Sequence, residues 1–200
     1  MSSSTERDEQ LKRAAELVTK GKYEAAAQIY RSLASAGCST AQLMLGWMLE
    51  TGRGVGRDLP GARSWYKMAA DAGSPEGLFY LGAFDLRHHR YREAVESLES
   101  AASRNYMPAL HVLGLMYDAG DGVSIDHEKA HRCYEQAAGM GHLFAERAIA
   151  VALIKGRQGL TGRPKGVYLL LKAILTAFFL GLRDPESDRL RGSHDLRWIN

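Results

Sequence analysis

The chain has 200 residues, 26 of them Lys or Arg and 23 Asp or Glu, so its formal charge is only +3. Signs alternate along the chain, without the one-sided basic face on which a nucleic-acid module depends, so no nucleic-acid partner is expected. A hydrophobic fraction of 46% beside 24% charged residues is an ordinary globular mix, which sets aside fibrous and disordered classes. The opening residues Met1 to Gln10 are polar and charged and are unlike a secretory leader, so a cytoplasmic location is expected. Cys38 and Cys133 cannot build a disulfide framework and read as small buried hydrophobes.

Taken in chain order, the predicted elements come in pairs. After a flexible terminus at 1–5, residues 6–37 hold two apolar-striped segments around Gly21-Lys-Tyr-Glu-Ala-Ala-Ala-Gln-Ile-Tyr30. Residues 38–73 follow with Ala41-Gln-Leu-Met-Leu-Gly-Trp-Met-Leu-Glu-Thr-Gly-Arg-Gly-Val55, then Asp58, Ala62, Tyr66, Ala69 and Gly73. The unit 74–105 is shorter and carries His89-Arg-Tyr-Arg-Glu-Ala-Val-Glu-Ser-Leu98. Residues 106–141 repeat the second unit at a shift of 68, from Ala109 through Gly114, Gly120, Val123, Asp126, Ala130, Tyr134 and Ala137 to Gly141. A weaker copy fills 142–181, and 182–200 form a tail or cap.

Leu45, Met48 and Leu49, or Leu113, Met116 and Tyr117, recur at three and four, the stripe of an amphipathic helix. The small residues Gly46, Gly82, Gly114, Ala62, Ala94 and Ala130 allow two helices to approach closely. From the small residue of the first half to that of the second, the count is 16 in three units (46 to 62, 114 to 130, 150 to 166) and 12 in two (14 to 26, 82 to 94). Four residues therefore separate long from tight units, inserted between the halves. In the long ones, Gly52-Arg-Gly-Val and Gly120-Asp-Gly-Val end one helix, and Asp58 and Asp126 cap the next. The predicted fold is an all-α, right-handed solenoid of about five helix–turn–helix hairpins in one domain over 6–181.

The long units, at 41–73 and 109–141, resemble the Sel1-like repeat, and the tight ones resemble its relative, the tetratricopeptide repeat. The resemblance implies a scaffold or adaptor without catalytic activity that binds a protein or peptide on a concave surface lined by the first helix of each hairpin. In register, that surface would take Leu43, Phe79, His111 and Arg147 in one row, Trp47 and Leu115 in a second, and Glu50 and Asp118 in a third, with Arg87 nearby. Trp47 is the strongest anchor candidate, because an indole one residue after a close-packing glycine must turn away from the crossing.

Other candidates weigh less. The run Arg87-His-His-Arg-Tyr-Arg92 reads as a solvated turn with Tyr91 packed like Tyr23. His127 and His131 stand at metal-binding spacing, but a metal site needs three or four convergent ligands, and none is expected. No nucleophile elbow, phosphate loop or His-Glu-x-x-His motif is present, and no cofactor is implied. The apolar stretch 166–182 falls short of the ~20 residues that span a bilayer and carries Lys172. A helix apolar all round must be covered, either by the tail, which caps a monomer, or by a second copy in a homodimer, with Phe178, Phe179 and Leu182 as self-association candidates.

Overall fold

A computed structural model describes residues 2–154, 166–172, 174 and 175. Every regular element among the described residues is helical: α1 (Ser2–Thr19), α2 (Tyr23–Ser35), α3 (Ser39–Thr51), α4 (Leu59–Asp71), α5 (Pro75–Arg87), α6 (Tyr91–Ser103), α7 (Met107–Ala119), α8 (His127–Gly139) and α9 (Leu143–Ile154). Helical residues recur at 166–172. The fold class is the all-α helical repeat. Helix α1 already begins at Ser2, so residues 2–5 are helical where the sequence suggested a flexible terminus. The chain divides into two compact units, Met1–Phe84 and Asp85–Asn200, with the division inside α5.

Hairpin lengths follow the residue counts. Seven residues, 52–58 and 120–126, join α3 to α4 and α7 to α8. Three residues, 20–22 and 88–90, join α1 to α2 and α5 to α6, four fewer as the spacing requires. In the long connections Gly52 and Gly120 take the left-handed conformation and return their N–H to the Met48 and Met116 carbonyls. Asp58 then accepts from the Gly61 N–H at 3.0 Å and Asp126 from the Lys129 N–H at 2.9 Å, so each second helix starts on a side-chain cap.

The inserted residues do more than terminate helices. Gly54 and Gly122, both with positive φ, lie against the backbone of Tyr23 and the Cβ and backbone of Tyr91, the first residues of α2 and α6. A Cβ on Gly122 would come within 2.5 Å of Tyr91 Cβ. Each long loop therefore folds back onto the second helix of the preceding tight hairpin, and only glycine fits the contact. In the tight turn of the second unit the left-handed position falls on His89, whose Nδ1 meets the Tyr91 hydroxyl at 2.8 Å.

The core of the first unit joins Ala26, Ala27, Tyr30, Leu33, Leu45 and Met48, with a second cluster around Ala62, Tyr66, Leu81 and Phe84. Ala62, Ala94 and Ala130, the expected crossing residues, are all buried. Gly166 keeps the same register, and a Cβ there would meet the Ala150 carbonyl and the Leu153 side chain.

Candidate functional site

Each long hairpin builds the same small constellation. The ring of Tyr66 lies directly over Gly46 and that of Tyr134 over Gly114, closer than any side chain at the glycine would permit. Close approach was expected at these glycines between helix backbones; the group that fills the space is instead a tyrosine ring from the second helix. The hydroxyl reaches one turn further along the first helix, where Tyr66 donates to Glu50 Oε2 at 3.0 Å and Tyr134 to Asp118 Oδ2 at 3.2 Å. Two of the expected surface carboxylates thus also lock their own hairpins.

In the first unit, Leu43 and Trp47 are half-buried on α3. The Arg53 guanidinium stands 5.1 Å from the Trp47 ring and 5.5 Å from the Tyr23 ring, a cation–π arrangement that covers part of the indole. Phe79 is only 1% exposed and packs edge-on to Tyr80, so it belongs to the core and not to a surface. His111 in the second unit is likewise buried, at 5% exposure. His111 stands three residues before Gly114, which takes the Tyr134 ring, and so shares its inward face; Phe79 holds the matching position before the buried Gly82. Leu115, one residue after that glycine, is 43% exposed, and Arg147 is exposed.

These groups surround a concavity on the second unit. A cleft of about 310 Å³ is lined by Leu115 and Asp118 of α7, Tyr134 of α8, and Phe144, Arg147 and Val151 of α9, with His111 among them. A hollow of about 250 Å³ shares Asp118, Tyr134 and Ala152 and adds His127, Glu128, His131 and Arg132. Asp118 is held between them by Tyr134 and by His127 Nδ1 at 2.9 Å. Beside the cleft, the rings of His111 and His142 pack with centroids 4.9 Å apart. Burial lowers His111 from 6.5 to about 3, helped by the neighbouring His142, and lowers His142 to about 4. Both rings are neutral at physiological pH.

His142 escaped the sequence reasoning, although its position carried a signal. It follows Gly141 as Ser74 follows Gly73, and both cap the next helix: Ser74 Oγ accepts from the Gly77 N–H at 3.0 Å, and His142 Nδ1 from the Ala145 N–H at 3.3 Å. Asp85 was also missed. Its carboxylate is fully buried and accepts from Arg90 Nε at 2.7 Å, which commits the centre of the basic run 87–92 to a structural pair. Arg87 is half-buried on the last turn of α5. His131 approaches Glu135 at 3.3 Å, and among the described residues no group of three or more His, Cys, Asp or Glu is arranged to hold a metal ion. Burial raises the Cys133 thiol above its ordinary value, which makes it less reactive. No helix among the described residues is long and apolar enough to cross a membrane. Phe178, Phe179 and Leu182 lie outside the described residues.

A family profile for the Sel1 repeat matches residues 39–74 and 108–142, the segments that hold the two glycine–tyrosine–carboxylate constellations. Two segments of the chain thus match the Sel1 repeat. A solved Sel1 repeat protein from Oxalobacter formigenes matches with a TM-score of 0.72 and 25% identity, covering 82% of this chain and 69% of that one. A protective antigen of uropathogenic Escherichia coli with an SLR fold matches at a TM-score of 0.59 and 27% identity, over 74% of this chain and 36% of that one. Among curated proteins, DAP3-binding cell death enhancer 1 of Mus musculus is 30% identical over 167 residues, covering 64% of this chain and 33% of that protein. Its Rattus norvegicus counterpart is 29% identical, covering 67% and 34%. The chain thus spans about a third of the length of the curated relatives it matches. Proteins built on Sel1 repeats are in general protein-interaction scaffolds.

Proposed function

We propose that this chain is a non-catalytic scaffold or adaptor that holds a protein or peptide partner on the first-helix faces of its Sel1 repeats. The observation that carries this reading is Leu115, a large apolar side chain left 43% exposed on a first helix beside a cleft that also presents Arg147. Apolar anchors ringed by charge are the usual make-up of a protein-binding surface. The half-buried Trp47 is the corresponding anchor of the first unit, beside Leu43 and Glu50. The mouse and rat relatives are named for binding another protein, DAP3, which supports the same class of role here. The test is to recover a partner from the native host, identify it, and titrate it against purified wild type, Trp47→Ala and Leu115→Glu. At least one variant is expected to weaken the complex by about 2 kcal/mol with helical content unchanged. Equal dissociation constants for all three proteins would refute binding on the first-helix faces.

A second reading is favoured by one further observation. Val167, Tyr168, Leu171, Ile174 and Leu175 are all exposed large side chains on one short helical stretch. That face suits a structural or assembly role in which the main contact is with a second copy.

A further inference from the structure

The two hollows beside Asp118 are small, about 310 and 250 Å³, at or below the lower end of the range for small-molecule pockets. They meet at Asp118, Tyr134 and Ala152, so they form successive depressions along one surface of the second unit. Depressions in series suit successive side chains of a chain segment better than one compact ligand. The walls of the first depression are apolar, through Leu115, Phe144 and Val151.

Charge narrows the occupant. Asp118 already accepts from the Tyr134 hydroxyl and is hydrogen-bonded to His127, so its carboxylate is spoken for by two groups of the protein itself. Arg147 is exposed, lines the cleft and has no carboxylate of the described residues within ion-pair distance. In the adjoining hollow Arg132 has only a loose 3.9 Å pairing with Glu128, and both side chains are largely exposed. Arg132 and Glu128 offset each other in that hollow, so the charged group left to meet a ligand at the cleft is Arg147, set against an apolar wall. We infer that these paired depressions take an acidic peptide segment, one large apolar side chain seated against Leu115 and Phe144 and a carboxylate paired with Arg147. The inference rests on the scaffold reading and gives the partner of the second unit a chemistry: apolar and acidic residues close together in sequence.

Fluorescence anisotropy with the full chain tests it, using three labelled peptides. One is an Asp/Glu-rich segment with a single central Phe, one has that Phe replaced by Ala, and one has the acids replaced by Lys. The acidic Phe peptide is expected to bind, to weaken as salt rises, and to lose about tenfold in affinity with Arg147→Glu and with Leu115→Glu, while Arg147→Lys retains most of it. Met68→Ala, an exposed position on a second helix of the other unit, should leave this binding unchanged. Circular dichroism establishes that each variant keeps its helical content. Equal binding of the Lys peptide, indifference to Arg147→Glu, or no binding of the acidic Phe peptide at about 1 mM would overturn the assignment. So would a loss of oligomer on Leu115→Glu, which would identify the occupant as a second copy. If the native partner titrates differently against Trp47→Ala but identically against Leu115→Glu and Arg147→Glu, the scaffold reading stands and the cleft assignment fails.

Discussion

His111 and His142 sit ring to ring beside the cleft, and the protonated form of either would place a charge where water is excluded. The groups around His111 are aromatic or neutral: Tyr134 with centroid at 5.9 Å, Phe144 at 6.3 Å and His142 at 4.9 Å. The charged side chains lining the same cleft are Asp118, engaged by Tyr134 and His127, and Arg147, whose sign disfavours an imidazolium further. Both folded-state values, about 3 and about 4, lie below the ordinary 6.5, so the native state binds fewer protons than the unfolded chain. Their contribution to stability is then complete above pH 6.5 and is lost progressively as pH falls from 6.5 towards about 4 for His142 and about 3 for His111. In that window each imidazole steepens the decline by up to about 1.4 kcal/mol per pH unit. Melting temperatures measured from pH 7 to pH 4 should fall for the wild type and fall less for His111→Leu, which has nothing to protonate. Parallel profiles would show that the pair opens to water before it titrates. At this scale the sequence was least informative, because burial decides whether His111 is a ligand-facing group or a core one, and α7 is buried on every side from Ala109 to Gly114, so no apolar stripe singles out its core face there.

The long loop is the element that distinguishes this chain from a plain stack of tight hairpins, and its glycines carry unequal weight. Gly122 combines a positive φ of 72° with contact against Tyr91, whereas an added Cβ at Gly56 meets nothing within 4 Å. Gly122→Ala is therefore expected to cost about 2 to 4 kcal/mol, from left-handed strain and overpacking together, and Gly56→Ala close to nothing. Thermal unfolding of the two variants checks this; equal melting temperatures would mean that the loop lifts off Tyr91 without loss. The hairpins themselves were legible in the sequence, because helix stripes and small-residue spacing are local and the counts of 16 and 12 translate directly into connections of seven and three residues. The docking of the loop was not. It joins residues 31 apart in both copies, Tyr23 with Gly54 and Tyr91 with Gly122, and no periodic pattern within one helix reports on such a pair. The recurrence of Tyr23 at Tyr91, at the same shift of 68 as the loops, was the available signal.

At the scale of the whole molecule, an apolar face among the described residues lies open on the helical stretch that begins at Gly166. Its exposed residues, Val167, Tyr168, Leu171, Ile174 and Leu175, are spaced as one face of a helix, so they form a continuous apolar stripe rather than scattered side chains. Gly166 fixes the opposite side against Ala150 and Leu153, and Leu169 and Leu170 are half-buried, so rotation of the helix cannot hide the stripe without breaking those contacts. A stripe of this kind marks a contact surface. Under the self-association reading, light scattering across a dilution series should give twice the chain mass at high micromolar concentration, and Leu171→Glu should return it to the single-chain value. Leu171 is the informative position because it stands at the centre of the stripe and is exposed, so a charge there disturbs the contact without entering the core of the single chain. A single-chain mass for the wild type at the highest concentration would exclude the second copy, and Leu171→Glu would then be expected to lower the melting temperature only if another part of the same chain covers the stripe.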